Sequence, residues 1–277
     1  MSPDEYCQDK AAQSGSSFYY SFLFLPKPRR LAITALYAFC REVDDAVDEI
    51  HDPAIALQTL EWWRFEINAM LTGTPTHPVT RALLPHLKTY QLEGQHLLAI
   101  IDGMEMDLHQ TRYLDYIALH RYCWHVAGVV GILSARIFGV SNPKTIEFAE
   151  KLGLAFQLTN IIRDVGDDAR KGRIYLPVNE LQQFGVTAAD ILNARHSEQF
   201  TALMQFQYER AQSCYEEALT LLPKEDRRAQ RTSLIMSAIY RTLLVEIKND
   251  GFHVLNQRIS LTPIRKLWLA WITYIKG

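Results

Sequence analysis

The sequence predicts an all-α fold, a single domain over residues 1–277, and three observations predict it. Apolar residues recur at helical spacing almost from end to end. No apolar/polar alternation is long enough for a strand, and no repeat or low-complexity linker divides the chain. Proline, glycine and asparagine gather in short clusters between the periodic stretches. A chain of 277 residues, 48% hydrophobic and 22% charged, can bury a large core.

Taken in order, LAITALYAFCREVDDAVDEI forms one long helix stopped near His51, Asp52 and Pro53. IALQTLEWWRFEINAML is the next, ended by the loop TGTPTHP. VTRALLPHLKTYQL follows, with Pro85 near its first turn, and then HLLAIIDGMEMDL. TRYLDYIALHRYCWHVAGVVGILSARIFG and TIEFAEKLGLAFQLTNIIRDVGDDARKG are separated by Asn142 and Pro143. RIYLPVNELQQFGV is the least helical segment. SEQFTALMQFQYERAQSCYEEALTLL, RRAQRTSLIMSAIYRTLLVEIKNDGF and LTPIRKLWLAWITYIKG close the chain. Several of these are apolar on more than one face, which places them inside a bundle.

The bulk numbers exclude several classes. A formal charge of -2 gives no steering toward nucleic acid. Cys7, Cys40, Cys123 and Cys214 show neither CxxC spacing nor a histidine grouping, so they are expected as reduced thiols of a cytosolic protein rather than zinc ligands. The start MSPDEYCQDK lacks the order of a signal peptide. VAGVVGILSARIFGV at 126–140 is too short to span a membrane and carries Arg136.

Two stretches carry chemistry. Tyr37, Arg41, Asp44 and Asp48 follow at spacings of four, three and four, and line one helix face. Gln157, Asn160, Asp164 and Asp168 do the same at spacings of three, four and four. Like charges four residues apart repel, and carboxylates and amides on a buried face are costly unless something satisfies them. Each pair is separated by about 6 Å along its helix, which suits hard divalent ions held partly by water and substrate. Asp45 and Glu49 point away from the stripe. Arg41, Arg163, Arg170, Lys171 and Arg173 surround the pairs. Mg²⁺ with a diphosphate satisfies both signs of charge, with Mn²⁺ as the substitute ion. A di-iron bundle would need Glu and ExxH pairs, which are missing. Phe18, Phe22, Tyr37, Phe39, Leu158 and the VAGVVG run supply an apolar, aromatic pocket, and aromatic faces stabilise carbocations. Gly128 and Gly131 either leave room in that pocket or pack two helices closely. Val129, Ile132 and Leu133 are candidates for its floor.

These residues resemble the squalene and phytoene synthase family, the head-to-head trans-prenyltransferases. SGSSFYYSFLFLP is similar to the family's opening motif, YAFCREVDDAVDE to its first acidic motif, YCWHVAGVVG to the central one, and QLTNIIRDVGDDARKGRIYLP to the second. The resemblance implies a helical bundle with a central apolar cavity and two facing Asp-rich motifs. It implies that Asp44, Asp48, Asp164 and Asp168 hold metal, and that Ser17, Arg41, Asn160, Arg163 and Arg173 contact diphosphate directly or through metal. Phe18, Tyr37, Tyr122, Gln157 and Tyr175 would line the reacting centre, with Phe22 in the substrate pocket.

FYYSFLFLP and RRLAITALYAFCREVDDAVDE resemble most the bacterial presqualene diphosphate synthases of hopanoid biosynthesis (HpnD). The implied reaction joins two farnesyl diphosphates into presqualene diphosphate and inorganic diphosphate, without NADPH. The alternatives are an NADPH-dependent squalene synthase and a phytoene or dehydrosqualene synthase. A non-catalytic relative would have broken acidic motifs, and both are intact. RISLTPIRKLWLAWITYIKG mixes Arg and Lys with Trp and Leu, which suits either a last bundle helix or an interfacial one. A cytoplasmic enzyme with at most weak, salt-sensitive contact with the inner membrane is expected. The sequence leaves the oligomeric state open.

Overall fold

Thirteen α-helices lie among the residues that the computed structural model describes, 1–13, 21–22 and 24–276. No strand occurs among these residues; one isolated parallel bridge joins Arg112 to Ile174. A short helix the sequence did not announce, α1 (Pro3–Gln13), packs on α2 (Lys27–Asp48), where Tyr6 donates to Glu42 at 2.7 Å. Pro28, in the first turn of α2, lacks only an N–H that has no helical partner there. Ile33, Leu36, Phe39, Val43 and Val47 bury one face of α2.

Helix α3 (Pro53–Leu71) starts where the Asp52 side chain accepts from the Ala54 N–H at 2.9 Å. Helix α4 (Pro78–Thr89) begins one residue before the expected stretch, and Pro85, its eighth residue, lies in its interior rather than near its first turn. Interior proline costs about 3 kcal/mol or more. The helix start is fixed in compensation by the buried Glu66 carboxylate, which accepts from Thr76 N, His77 N and the Thr80 hydroxyl at 2.6–2.7 Å.

Helices α5 (Gly94–His109) and α6 (Tyr116–Cys123) follow. A π-helical turn (Trp124–Gly128) then joins α6 to α7 (Val129–Phe138), where the sequence pattern shows one unbroken stretch. Helix α8 (Lys144–Arg170) runs about 40 Å through the centre. Its Gly153 faces the π-helical turn so closely that an added Cβ would stand 2.4 Å from the Ala127 carbonyl oxygen. Gly131 meets the Ala149 carbonyl the same way, at 2.2 Å. Gly131 therefore packs two backbones closely, and it also borders the interior cavity.

The least helical segment contains only α9 (Val178–Gln183), and α10 (Ala188–Leu192), opened by a capping box between Thr187 and Asp190, follows it. The long helices α11 (Glu198–Leu221) and α12 (Arg231–Asn249) enclose α8, and α13 (Pro263–Lys276) lies on α12. Two apolar cores result, one built mainly on α2 to α5 with α7, the other on α6, α8, α11 and α12. The four cysteines are free thiols, none paired in a disulfide.

Candidate active site

A cavity of about 1060 Å³ lies along the seam between the two cores. That is just above the roughly 300–1,000 Å³ usual for small-molecule sites. Tyr37, Arg41, Asp44 and Asp48 line it from α2, and Gln157, Asn160, Asp164 and Asp168 from α8. Both predicted polar faces therefore turn toward one space. Arg163, Arg170, Lys171 and Arg173 border the same polar end, and Phe22, Tyr122 and Tyr175 also line the wall. Ser17 and Phe18 lie outside the described residues.

The other end is apolar. Tyr122, Val126, Val130, Ser134 and Phe138 recur every four residues along α6, the π-helical turn and α7, and all line the cavity. Ile33 and Leu36 of α2, Leu152 and Phe156 of α8 and Met236 of α12 complete it. Val129, Ile132 and Leu133, expected at the floor, instead face the core behind this stripe. The π-helical turn rotates the helix face, and a regular helical wheel could not show that. Phe39 packs edge-on against Trp63, and neither it nor Leu158 lines the cavity.

The charges at the polar end are interleaved rather than segregated. Arg41 bridges Asp44 and Asp45, and Lys10 of α1 also reaches Asp45 at 2.8 Å. Asp45 thus ties α1 to α2 and supports Arg41 from outside the acidic stripe. Lys171 and Arg173, which follow α8, both pair with Asp48 at 2.8 Å. Arg163 and Arg258 both pair with Asp164, at 2.7 and 2.9 Å.

These contacts divide the carboxylates into two types. Burial pushes Asp44 up to about 6 in spite of Arg41, and it pushes Asp168 up to about 7 with help from the Asp164 and Asp107 charges. Burial also acts on Asp48 and Asp164, but their hydrogen bonds to Lys171, Arg173, Arg163 and Arg258 outweigh it and hold both below the usual carboxylate range.

Among the described residues, no three His, Cys, Asp or Glu side chains converge into a ready metal cage. The donor set nevertheless fits a hard divalent ion that shares its ligands with a substrate. Asn160 Oδ1 is buried with no hydrogen-bond partner, on the same helix face as Asp164 and Asp168. An orphaned amide oxygen beside two carboxylates is what Mg²⁺ coordination would satisfy.

Four further cavity residues are ones that sequence reasoning missed. Arg258 and Lys266 come from the C-terminal segment, which has no spacing relation to either acidic motif. The segment crosses α8 at Gly166, whose N–H donates to the Val254 carbonyl at 3.2 Å. A Cβ there would stand 2.2 Å from the Leu255 oxygen, so only glycine lets the strap carrying Arg258 lie this close. Tyr240 of α12 lines the cavity and hydrogen-bonds with Arg163. The fourth, Asp107, sits in DGMEMDL, where an acidic residue next to a leucine gave little sign of burial.

A helical bundle whose seam holds two acidic faces, interleaved with basic side chains at one end of an apolar cavity, defines a prenyltransferase of the isoprenoid synthase type. The chain belongs to the squalene/phytoene synthase family, whose profile matches residues 11–265. It is 37% identical to the phytoene synthase of Arthrospira platensis over 279 residues, covering 95% of this chain and 89% of that one. It is 34% identical to the 15-cis-phytoene synthase of Synechocystis sp., covering 97% and 84%. Among solved structures, a dehydrosqualene synthase in complex with ligand superposes with a TM-score of 0.86 at 28% identity, covering 99% of this chain and 96% of that one. Squalene synthase HpnC from Alicyclobacillus acidocaldarius superposes with a TM-score of 0.81 at 28% identity, covering 90% and 94%.

Proposed function

We propose that this chain condenses two prenyl diphosphates head to head, and that it acts as a phytoene-type synthase on geranylgeranyl chains without NADPH. The observation that carries the reading is the pair of acidic, Arg/Lys-laced faces closing one end of an apolar cavity. The relatives above shift the expected product away from presqualene diphosphate, because the two that share 37% and 34% of its residues are phytoene synthases.

In this reading Asp44 and Asp48 on one side, with Asn160, Asp164 and Asp168 on the other, hold Mg²⁺. The bound ion supplies charge neutralisation that eases departure of diphosphate. Lys171, Arg173, Arg163 and Arg258 exchange their carboxylate partners for phosphate oxygens when substrate enters. Lys266 adds a further cation at this end. Phe22, Tyr37 and Tyr240 face the allylic carbon as it ionises, with the acceptor's double bond held against it. The prenyl tails lie along Val126, Val130, Ser134 and Phe138.

The test is incubation of purified protein and Mg²⁺ with geranylgeranyl or farnesyl diphosphate, each with and without NADPH. Phytoene from the C20 substrate, independent of NADPH, is expected. Presqualene diphosphate from the C15 substrate alone would restore the hopanoid reading, and no coupled product from either would overturn both. Ser134→Phe fills the stripe at its deep end and is expected to lower kcat/KM for the C20 donor by about tenfold or more, with a smaller effect on C15. Equal losses for both substrates would move the tail elsewhere.

The membrane reading also takes sharper form. No described helix is long and apolar enough to cross a membrane. Helix α13 buries Ala270 yet leaves Ile264, Trp268, Trp271 and Ile275 at least half exposed. Its Pro263 and Lys266 border the cavity, so a lipid surface on this face would lie beside the site that handles apolar products. Co-sedimentation with anionic liposomes at low salt, weakened at high salt and abolished by truncation before Leu261, is the expected result. Absence of binding at low salt would remove this half of the proposal.

A further inference from the structure

Asp107 is a buried carboxyl at the site that neither metal nor phosphate binding uses. It stands on the last turn of α5 and is 8% exposed. Its Oδ2 accepts the Tyr122 hydroxyl at 2.7 Å and its Oδ1 accepts the Tyr175 hydroxyl at 2.8 Å. The two rings stack at 5.2 Å, and Tyr113 stacks on Tyr175 at 5.8 Å. Backbone bonds from Ile174 and Val178 to the carbonyls of Thr111 and Tyr113 lock the two stretches of chain together. The arrangement sets two tyrosine hydroxyls on a single carboxylate, with the Tyr113 ring stacked behind Tyr175.

Position gives this cluster a direction. Tyr122 heads the stripe that continues through Val126, Val130 and Ser134, so its hydroxyl stands where the polar end meets the apolar wall. A prenyl tail lying on that stripe brings its reacting carbons to this junction. Burial raises both the Tyr122 phenol and the Asp107 carboxyl, the latter to about 6. A phenol that hard to ionise cannot serve alone as a base. One that hands its own proton on to a carboxylate as it receives another can.

We infer that Asp107 is the positioning residue and final proton acceptor for the coupling step, acting through Tyr122; this rests on the condensation proposed above. Attack by the acceptor's double bond on the donor's allylic carbon leaves a tertiary cation one carbon away. A C–H bond of that donor carbon then breaks, and its electron pair bonds to the cationic carbon and closes a three-membered ring. The proton goes to the Tyr122 oxygen, and the phenol's original proton moves along the hydrogen bond to Asp107 Oδ2. Tyr122 ends neutral and Asp107 ends as the acid. Tyr175 holds the second carboxylate oxygen and fixes its orientation.

The experiment compares wild type, Asp107→Asn, Tyr122→Phe and the double variant, measuring released diphosphate, coupled product and prenyl alcohol. Ionisation precedes proton loss, so each variant still releases diphosphate while coupled product falls about 100-fold. A coupled cation that cannot lose its proton reverts to the allylic cation, which water captures, and the ratio of prenyl alcohol to coupled product rises about tenfold or more, with KM within about twofold of wild type. A merely structural carboxylate would not move that ratio. The double variant is expected to be no more than about threefold worse than the worse single one, because both break one chain. An unchanged ratio in Asp107→Asn, or losses that multiply, overturns the relay. If Asp107→Asn fails to fold, Tyr122→Phe reads the same partition from an intact ring stack. A wild-type enzyme that couples neither C15 nor C20 substrate would instead overturn the proposed function, and the relay with it.

Discussion

Asp168→Asn is expected to lower turnover by about three orders of magnitude and, at the same time, to make the metal-free protein more stable at pH 8. Both effects have one cause. Asp168 is partly buried, faces the Asp164 and Asp107 charges, and among the described residues no hydrogen bond reaches its carboxylate. The fold therefore prefers its protonated form, and its pKa rises to about 7. For a raised carboxyl the sign is fixed. Its stabilisation is complete below the unfolded value near 4 and is lost as pH climbs through 7. Asparagine has the same shape and no charge to expel, so the gain appears at pH 8 and vanishes near pH 4. Calorimetry without divalent ions should show a rise of about 2–6 °C at pH 8, from roughly 2–4 °C per kcal/mol in proteins of this size. Turnover falls because the charge that would hold the metal against diphosphate is gone. Added Mg²⁺ should then raise the melting temperature of wild type more than that of the variant. Near-normal turnover at saturating Mg²⁺ would remove Asp168 from the metal site, and a lower melting point at pH 8 would mean that the fold accommodates its charge.

The same residue shows why much of the site was legible in the sequence. A helix converts spacings of three and four into one face, so Tyr37 to Asp48 and Gln157 to Asp168 align from residue numbers alone. Paired carboxylates inside apolar runs then required a cation. What the spacing rule cannot reach is a residue whose place depends on another element. Arg258 meets Asp164 only because a strap crosses Gly166. Asp107 is central only because Tyr175 is laced beside α5 by the bonds to Thr111 and Tyr113. The cavity floor was misplaced for a local reason instead. One π-helical turn at Trp124–Gly128 shifts the lining from Val129 and Leu133 to Val130 and Ser134.

Asp226→Ala is expected to destabilise the protein by about 3–5 kcal/mol without touching the chemistry of the cavity, since it strips a buried carboxylate from several donors at once. Asp226 is 3% exposed and lies in the turn before α12. Its carboxylate accepts the backbone N–H groups of Ser141 and Asn142 at 3.0 and 3.1 Å, together with the hydroxyls of Ser141 and Thr145. Those donors belong to the loop that starts α8, and nearby Gln230 ties the same loop by donating to the Ala135 and Gly139 carbonyls. Alanine would leave these donors without their carboxylate partner, and each costs about 1–3 kcal/mol where no water replaces it. Burial alone would raise this carboxyl, but the hydrogen bonds outweigh it and hold the pKa below the usual value. Its contribution is therefore present above about pH 4 and lost as pH falls below that. Denaturant unfolding at pH 7 should show the full loss, and at pH 3 a smaller one. Because α8 carries the second acidic face at its far end, kcat at 20 °C should stay within about threefold of wild type while the half-life on heating shortens steeply. A wild-type midpoint at pH 7 would mean that water replaces the carboxylate. A collapse of kcat at 20 °C would mean that the anchor at the start of α8 governs the geometry of the acidic face at its end.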